Sequence, residues 1–212
     1  MKSAKALTEI LYVARELGPR SSLELLTSRI FSINHYYILC KSLSDARGSA
    51  AAGKTELFPI SEGDVREIEN SLTACSAADR REILSRLIFY QSGFGNCYVM
   101  RRDNKVTFMQ WIIYPTENGL IREKYANYYC PLGEKQVMIE NAFTFPAYRG
   151  LGCLASGTRQ LMELARAQGY RSAVCYIRKD RIAAVNEFVR MGFTITRMIP
   201  EYKVLGGIWR SF

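Results

Sequence analysis

The residues of this chain best suited to chemistry form a short run, Arg149-Gly150-Leu151-Gly152-Cys153-Leu154-Ala155, between an apolar stretch ending at Pro146 and a helix-compatible one. Glycines at a strand-to-helix turn leave backbone N–H groups unpaired and facing outward, with the positive end of the helix dipole behind them. Such a turn can hold a phosphate or pyrophosphate without side-chain chemistry. The plain alternative is a βα turn whose glycines only aid packing. A second loop, Gly48-Ser49-Ala50-Ala51-Ala52-Gly53-Lys54-Thr55, matches G-x-x-x-x-G-K-[ST] letter for letter. That pattern needs a helix opening at its lysine and a distal acidic strand for magnesium. Pro59 follows Thr55 by four residues, and no later apolar strand ends in a suitable aspartate. A surface loop is the expected reading of 48–55, with a P-loop nucleotide site as the alternative.

His35 is the single histidine, which removes multi-histidine zinc sites and argues against a triad-type nucleophile. It sits at the start of a strand-like segment, where a structural or surface role is expected. Six cysteines (Cys40, Cys75, Cys97, Cys130, Cys153, Cys175) lie more than twenty residues apart with no C-x-x-C pair, and read as reduced, buried thiols. Catalysis without metal or enzyme-bound intermediate is therefore expected.

The chain that must position these groups has 212 residues, 48% hydrophobic and 23% charged, an ordinary globular composition with one main core. No apolar stretch approaches ~18 residues, and the first residues lack an apolar signal region, so a soluble, cytoplasmic protein is expected. The formal net charge of +9 is spread along the chain rather than clustered. That favours a small anionic ligand over nucleic acid.

Helical spacing covers 5–17 and 22–31, and then 36–43 reads as a strand and 44–55 as a loop. Helices follow at 61–72 and 77–90, and a β-hairpin at 96–114 turns at 102–105. Strands are expected at 125–130 and 137–145. After the glycine turn come a helix at 152–168, a strand at 172–177, a helix at 181–191, a strand at 193–199 and a strand pair within 202–212. A meander followed by alternating helices and strands argues for a mixed α/β (α+β) fold.

With that context, Pro146-Ala147-Tyr148-Arg149-Gly150-Leu151-Gly152 resembles the coenzyme A loop, R/Q-x-x-G-x-G/A, of the GNAT superfamily of N-acetyltransferases. Glu187-Phe188-Val189-Arg190-Met191-Gly192-Phe193 is similar to that superfamily's ending before a Gly-Phe pair. The resemblance covers residues 31–212, leaving 1–30 as a helical extension. It implies a central, mostly antiparallel sheet flanked by helices, splayed between the cofactor-loop strand and the next one. It also implies acetyl-CoA as cofactor, with Phe143, Thr144 and Phe145 holding the pantetheine arm through their backbone. Arg149, Gly150, Leu151, Gly152, Cys153, Leu154 and Ala155 would wrap the pyrophosphate.

Three positions depart from the family pattern. Leu154 replaces its last Gly/Ala, Phe188 stands where many members carry a tyrosine thought to protonate the leaving thiolate, and Arg181 stands where an asparagine often sits. The acid role is then vacant or passes to another hydroxyl such as Tyr176. Arg181 would reach a cofactor phosphate or remain a solvated helix-start arginine. Strand alternation places Glu140, Ala142 and Thr144 on one face, which makes Glu140 the candidate general base, against a solvated or ion-paired carboxylate. The implied reaction moves an acetyl or other short acyl group to an amine, acidic or sugar-linked given the positive balance; a non-catalytic coenzyme A-binding module is the alternative. No membrane span is expected, and a homodimer is compatible with the reading.

Overall fold

The computed structural model describes residues 31–44, 56–204 and 207–212. The expected helices within 1–30 and the Gly48–Thr55 loop lie outside them. Elements run β1 (Phe31–Ser42), β2 (Leu57–Pro59), α1 (Glu62–Ser71), α2 (Ala77–Gln91), β3 (Cys97–Arg102), β4 (Lys105–Ile113), α3 (Asn118–Lys124), β5 (Gln136–Thr144), α4 (Cys153–Ala167), β6 (Ser172–Arg178), α5 (Ile182–Arg190), β7 (Thr194–Val204) and β8 (Gly207–Arg210). Residues 36–198 form one compact unit, and the described parts of 1–35 and 199–212 form a second.

In the larger unit the strand order is β2-β3-β4-β5-β6-β1-β7. β5 and β6 are parallel, whereas β2–β3, β3–β4, β4–β5 and β6–β1 pair antiparallel. β1 thus lies between β6 and β7, where Thr196 Oγ1 donates to the Ile38 carbonyl at 3.1 Å. In the smaller unit the end of β7 pairs antiparallel with β8, and the buried Glu201 accepts from Asn34 Nδ2 at 3.1 Å and Arg210 Nε at 3.0 Å.

Helices cover both faces of the larger sheet. On α4, Thr158, Leu161, Met162 and Ala165 recur at helical spacing and are buried. A Cβ on Gly157 would lie 2.3 Å from Cε1 of the fully buried Phe108, so helix and sheet meet where a side chain is missing. Thr158 Oγ1 donates to Gln110 Oε1 at 3.1 Å on this same face. The opposite face carries α2, whose Phe89 meets Trp111 edge-on at 5.6 Å and stacks on Phe94 at 4.5 Å. Trp111 Nε1 donates to the Phe94 carbonyl at 2.9 Å, so the indole is buried with its polar atom satisfied.

Polar groups fix where α1 and α2 start. Ser61 and Asp64 form a capping box on α1, and Asp64 also takes two guanidinium bonds from Arg101 on β3. Burial pushes the Asp64 carboxyl up, but bonds from Arg101 and Ser61 outweigh it and hold it below the usual carboxylate range. Ser76 caps α2 by accepting the Asp79 N–H at 3.1 Å.

Two expectations are corrected. Residues 125–130 form a turn rather than a strand: the Tyr128 and Tyr129 N–H groups both donate to the Tyr125 carbonyl, at 2.8 and 3.0 Å. Their rings gather around Tyr125, which packs on Phe89 and Phe94, so aromatic content that suggests a strand here serves a compact turn. The segment before it is helix α3. β7 also runs unbroken from Thr194 to Val204, joining the strand expected at 193–199 to the first arm of the last pair. In line with the loop reading of 48–55, Leu57–Pro59 form edge strand β2 and no helix opens directly after Thr55.

Two outcomes follow. Gly157→Ala gains about 1 kcal/mol of helix propensity but forces a methyl into Phe108, which costs about 1–3 kcal/mol. A net loss is expected in urea unfolding, and a net gain would contradict the close contact. Asp64 titrates below its unfolded-state value near 4, so its contribution is complete above about pH 4 and is lost as pH falls through the folded value. Asp64→Asn should cost about 2 kcal/mol at pH 7 and flatten the acid limb of the stability–pH curve, measured by denaturation from pH 2 to 7.

Candidate functional site

β5 and β6 pair through Gln136↔Ser172, Val137↔Ala173 and Met138↔Val174, and then the ladder stops. Beyond that point the strands are held apart by what β5 does next. Trp111 pairs with Glu140 and Met109 with Phe143, so Asn141 and Ala142 together face the single residue Gln110. This is a β-bulge, and Asn141 adopts φ +54°, a left-handed conformation that asparagine tolerates better than most residues.

The bulge corrects the expected alternation. Cross-strand partners share a face, so Glu140 and Phe143 lie on the Trp111/Met109 side, and Thr144, opposite Phe108, lies on the other. Glu140 therefore faces the α2 side and does not share a face with Thr144.

The groups freed by the missing ladder have found partners. Glu140 Oε1 accepts the Tyr176 N–H of β6 at 2.6 Å, and its Oε2 accepts the Asn141 N–H at 3.4 Å. Across the gap a carboxylate thus replaces a backbone carbonyl. The two bulge carbonyls are taken by Arg86 of α2, with Nε 3.2 Å from Asn141 O and Nη2 3.2 Å from Ala142 O. Arg86 Nη1 also donates to Glu82 Oε2 at 2.8 Å, and the guanidinium lies 5.0 Å from the Phe143 ring centroid. Burial lowers the Arg86 pKa, while the Glu82 carboxylate opposes that shift.

At its end, β5 returns to regular pairing: Phe145 N–H donates to the Thr107 carbonyl at 3.0 Å. Backbone groups alternate sides along a strand, so those of Thr144 point toward the split. A 3-10 turn over Pro146–Tyr148 then leads into the glycine run. Gly150 and Gly152 have φ +79° and +75°, and an added Cβ at either would meet nothing within 4 Å. These glycines serve backbone conformation, not packing. Gly152 is the N-cap of α4 without any side-chain cap, and the N–H groups of Cys153, Leu154 and Ala155 lie in the first turn, where no intrahelical acceptor exists. Leu154 packs its side chain against the core, which leaves its N–H to the loop.

These residues line a cavity of about 1130 Å³ together with Arg81, Asp79, Asp180, Arg181 and Glu187. Of the expected cofactor set, Phe143, Thr144, Arg149, Gly150, Gly152, Cys153, Leu154 and Ala155 are brought together here. Phe145 is buried beneath Phe143, and Leu151 is 59% exposed outside the lining.

Two arginines of the cavity wall are paired with carboxylates of α2. Arg149 bonds Asp79 and the Thr144 carbonyl, and Arg181 Nη2 donates to Glu82 Oε1 at 2.8 Å. Burial raises the Glu82 carboxyl, but Arg86 and Arg181 bring it below the usual range. Bonds from Ser76 and then Arg149 lower Asp79. Tyr176 lies on the Glu140 side of the split, its hydroxyl accepts the Cys130 N–H at 3.4 Å, and burial raises its pKa strongly. Phe188 is in the core against Phe193, so position 188 directs its side chain inward. Arg86 and Asn141 were not legible as site residues, because neither belongs to a local motif. A polar left-handed residue inside an apolar strand was the one signal available.

No family model matches the sequence, and no curated protein matches it. Solved structures do match. A protein assigned to the GNAT acetyltransferase family from Novosphingobium aromaticivorans aligns with TM-score 0.52 at 16% identity, covering 85% of this chain and 66% of that one. A GCN5-related N-acetyltransferase from Sphaerobacter thermophilus aligns with TM-score 0.53 at 11% identity, over 87% of this chain and 56% of that one. The GCN5-related glucosamine N-acetyltransferase region of a fungal multi-domain β-N-acetylglucosaminidase gives TM-score 0.61 at 11% identity, over 91% of this chain and 23% of that one. The chain spans less than two thirds of the length of each. With its mixed, mostly antiparallel sheet split between β5 and β6 above a glycine turn, this chain has the fold of the GNAT N-acetyltransferases.

Proposed function

We propose that the chain is an acyltransferase that moves an acetyl or other short acyl group from coenzyme A to an amine by direct attack. The observation that carries this reading is the continuity of one cavity from the left-handed glycine turn and the open first turn of α4 to the end of β5 beside the split.

The residues present fit such a cofactor. Two glycines without Cβ neighbours and the first-turn N–H groups of α4 suit a pyrophosphate, and the split suits a narrow arm running past Thr144. When bound, acetyl-CoA would supply the activated thioester. The chain's own residues then orient the acceptor amine and manage its protons. Glu140 is the carboxylate at the split, and we assign it the general-base role, direct or through one water. We assign the Tyr176 hydroxyl, on the same side of the sheet as Glu140, the role of proton donor. The formal net charge of +9 favours an acidic or sugar-linked amine as acceptor.

Isothermal calorimetry with acetyl-CoA tests the reading first. Gly152→Ala forces a side chain into a left-handed conformation at the phosphate turn and should weaken binding about tenfold, or ~1.4 kcal/mol. Absence of acetyl-CoA binding by the wild type would overturn the proposal. Binding without thiol release across a panel of amines would leave only a non-catalytic module. For the base, Glu140→Gln keeps an oxygen for the Tyr176 N–H but cannot take a proton. It should lose the ascending limb of kcat/KM with pH, and full turnover at every pH would remove Glu140 from that role.

A further inference from the structure

A buried arginine is costly, and a plain apolar residue on α2 would pack against Phe143 at less expense. Arg86 is only 13% exposed in its side chain, yet its guanidinium makes four hydrogen bonds within the protein. Two go to Glu82, one to its carbonyl at 2.7 Å and one to its carboxylate. The other two reach the consecutive carbonyls of Asn141 and Ala142, the residues of the β5 bulge. A planar fork spans two adjacent carbonyls at once, which a lysine ammonium on a flexible stem does not. With most of its five N–H donors committed to the protein, Arg86 has little left to offer a ligand.

What the fork holds is a strained piece of strand. Asn141 is left-handed, and its carbonyl and the next one lie where regular pairing with β6 has stopped. Arg86 and Arg149 also lie over the Phe143 ring, at 5.0 and 5.8 Å, so the bulge and the glycine turn grip the same side chain. Glu82 extends the connection to Arg181, beside the start of α5 on the cavity wall. An unbroken set of contacts thus runs from the phosphate end of the cavity to the edge of the split.

We propose that Arg86 is a positioning residue for acyl transfer: by clamping the Asn141 and Ala142 carbonyls against α2, it fixes the β5 bulge and with it the place of the reacting thioester. This rests on the acyltransferase reading above. Arg86 acts through the backbone of β5 and leaves the phosphate turn alone.

The experiment compares Arg86→Lys, Arg86→Met and Asn141→Val with the wild type, by calorimetry with coenzyme A and by steady-state thiol release at saturating amine. Arg86→Lys keeps the charge but loses the fork. Asn141→Val keeps Arg86 but disfavours the left-handed bulge. Both should bind coenzyme A within about twofold of wild type while kcat falls at least about tenfold and KM for acetyl-CoA changes little. Because both act on one device, Arg86→Met combined with Asn141→Val should be no slower than the worse single variant. If Arg86→Met fails to fold, Arg86→Lys and Asn141→Val still decide the matter. Unchanged kcat in those two overturns the inference, as does a loss that only tracks the folded fraction in urea titrations of the same samples. A wild type that does not bind acetyl-CoA removes the acyltransferase reading and this inference together, whereas turnover insensitive to both substitutions removes the inference alone.

Discussion

Past Met138 and Val174 the parallel ladder between β5 and β6 ends, and every backbone group released there, within a covered sheet, needs another partner. Opening a sheet at its centre is ordinarily expensive for that reason. Here the cost is met by side chains: the Glu140 carboxylate takes the Tyr176 N–H from β6, and Arg86 takes two carbonyls from β5. The bulge at Asn141 turns β5 and lets those contacts form without disturbing its pairing with β4, which resumes at Phe143. The cavity, the direction of the glycine turn and the position of α4 all follow from the strand that leaves this point.

The charge arrangement around the opening has a related logic. Arg149 and Arg181 reach the cavity while paired with Asp79 and Glu82, both on α2. Pairing restrains the long side chains, and it also means that an arriving anion competes with carboxylates already in place. Affinity for phosphate would then rest mainly on the N–H groups of the glycine turn and the α4 dipole, with the arginines adjusting around them. This agrees with a loop whose two glycines meet no neighbouring atoms and are kept for their backbone angles.

How much of this was legible in the sequence depended on whether the signal was local. The turn at Gly150 and Gly152 was, because glycine spacing, a preceding apolar strand and a following amphipathic helix all lie within one short stretch. The rejection of Gly48–Thr55 used the same local reasoning, and β2 after it agrees. The bulge was not legible: one inserted residue leaves the apolar pattern of 137–145 intact but reverses every side chain on one side of it, which moved Glu140 to the face opposite Thr144. Residues 125–130 misled because tyrosines that favour strands pack equally well around a turn. Gly157 and Arg86 act across distances of 49 and 55 residues, to Phe108 and Asn141, and no window on the sequence joins them.

Glu140 brings the structural and chemical demands into one side chain. One oxygen spans the gap to Tyr176, so the carboxylate is fixed in orientation before any acceptor arrives. A base held in this way loses little freedom when it takes a proton, which is the advantage of preorganisation. A carboxylate at the split therefore suits a short proton transfer through a water to an amine already in place, more than the abstraction of a proton from a distant ammonium. Phe188 is turned into the core against Phe193, so under the proposed reading the hydroxyl function falls to Tyr176. The proposed proton donor and acceptor would then be partners across one gap, Tyr176 giving its backbone N–H to the residue that would take the substrate's proton. Widening the split would separate them, which under the proposed reading would tie the proton chemistry to the same bulge that is proposed to place the thioester.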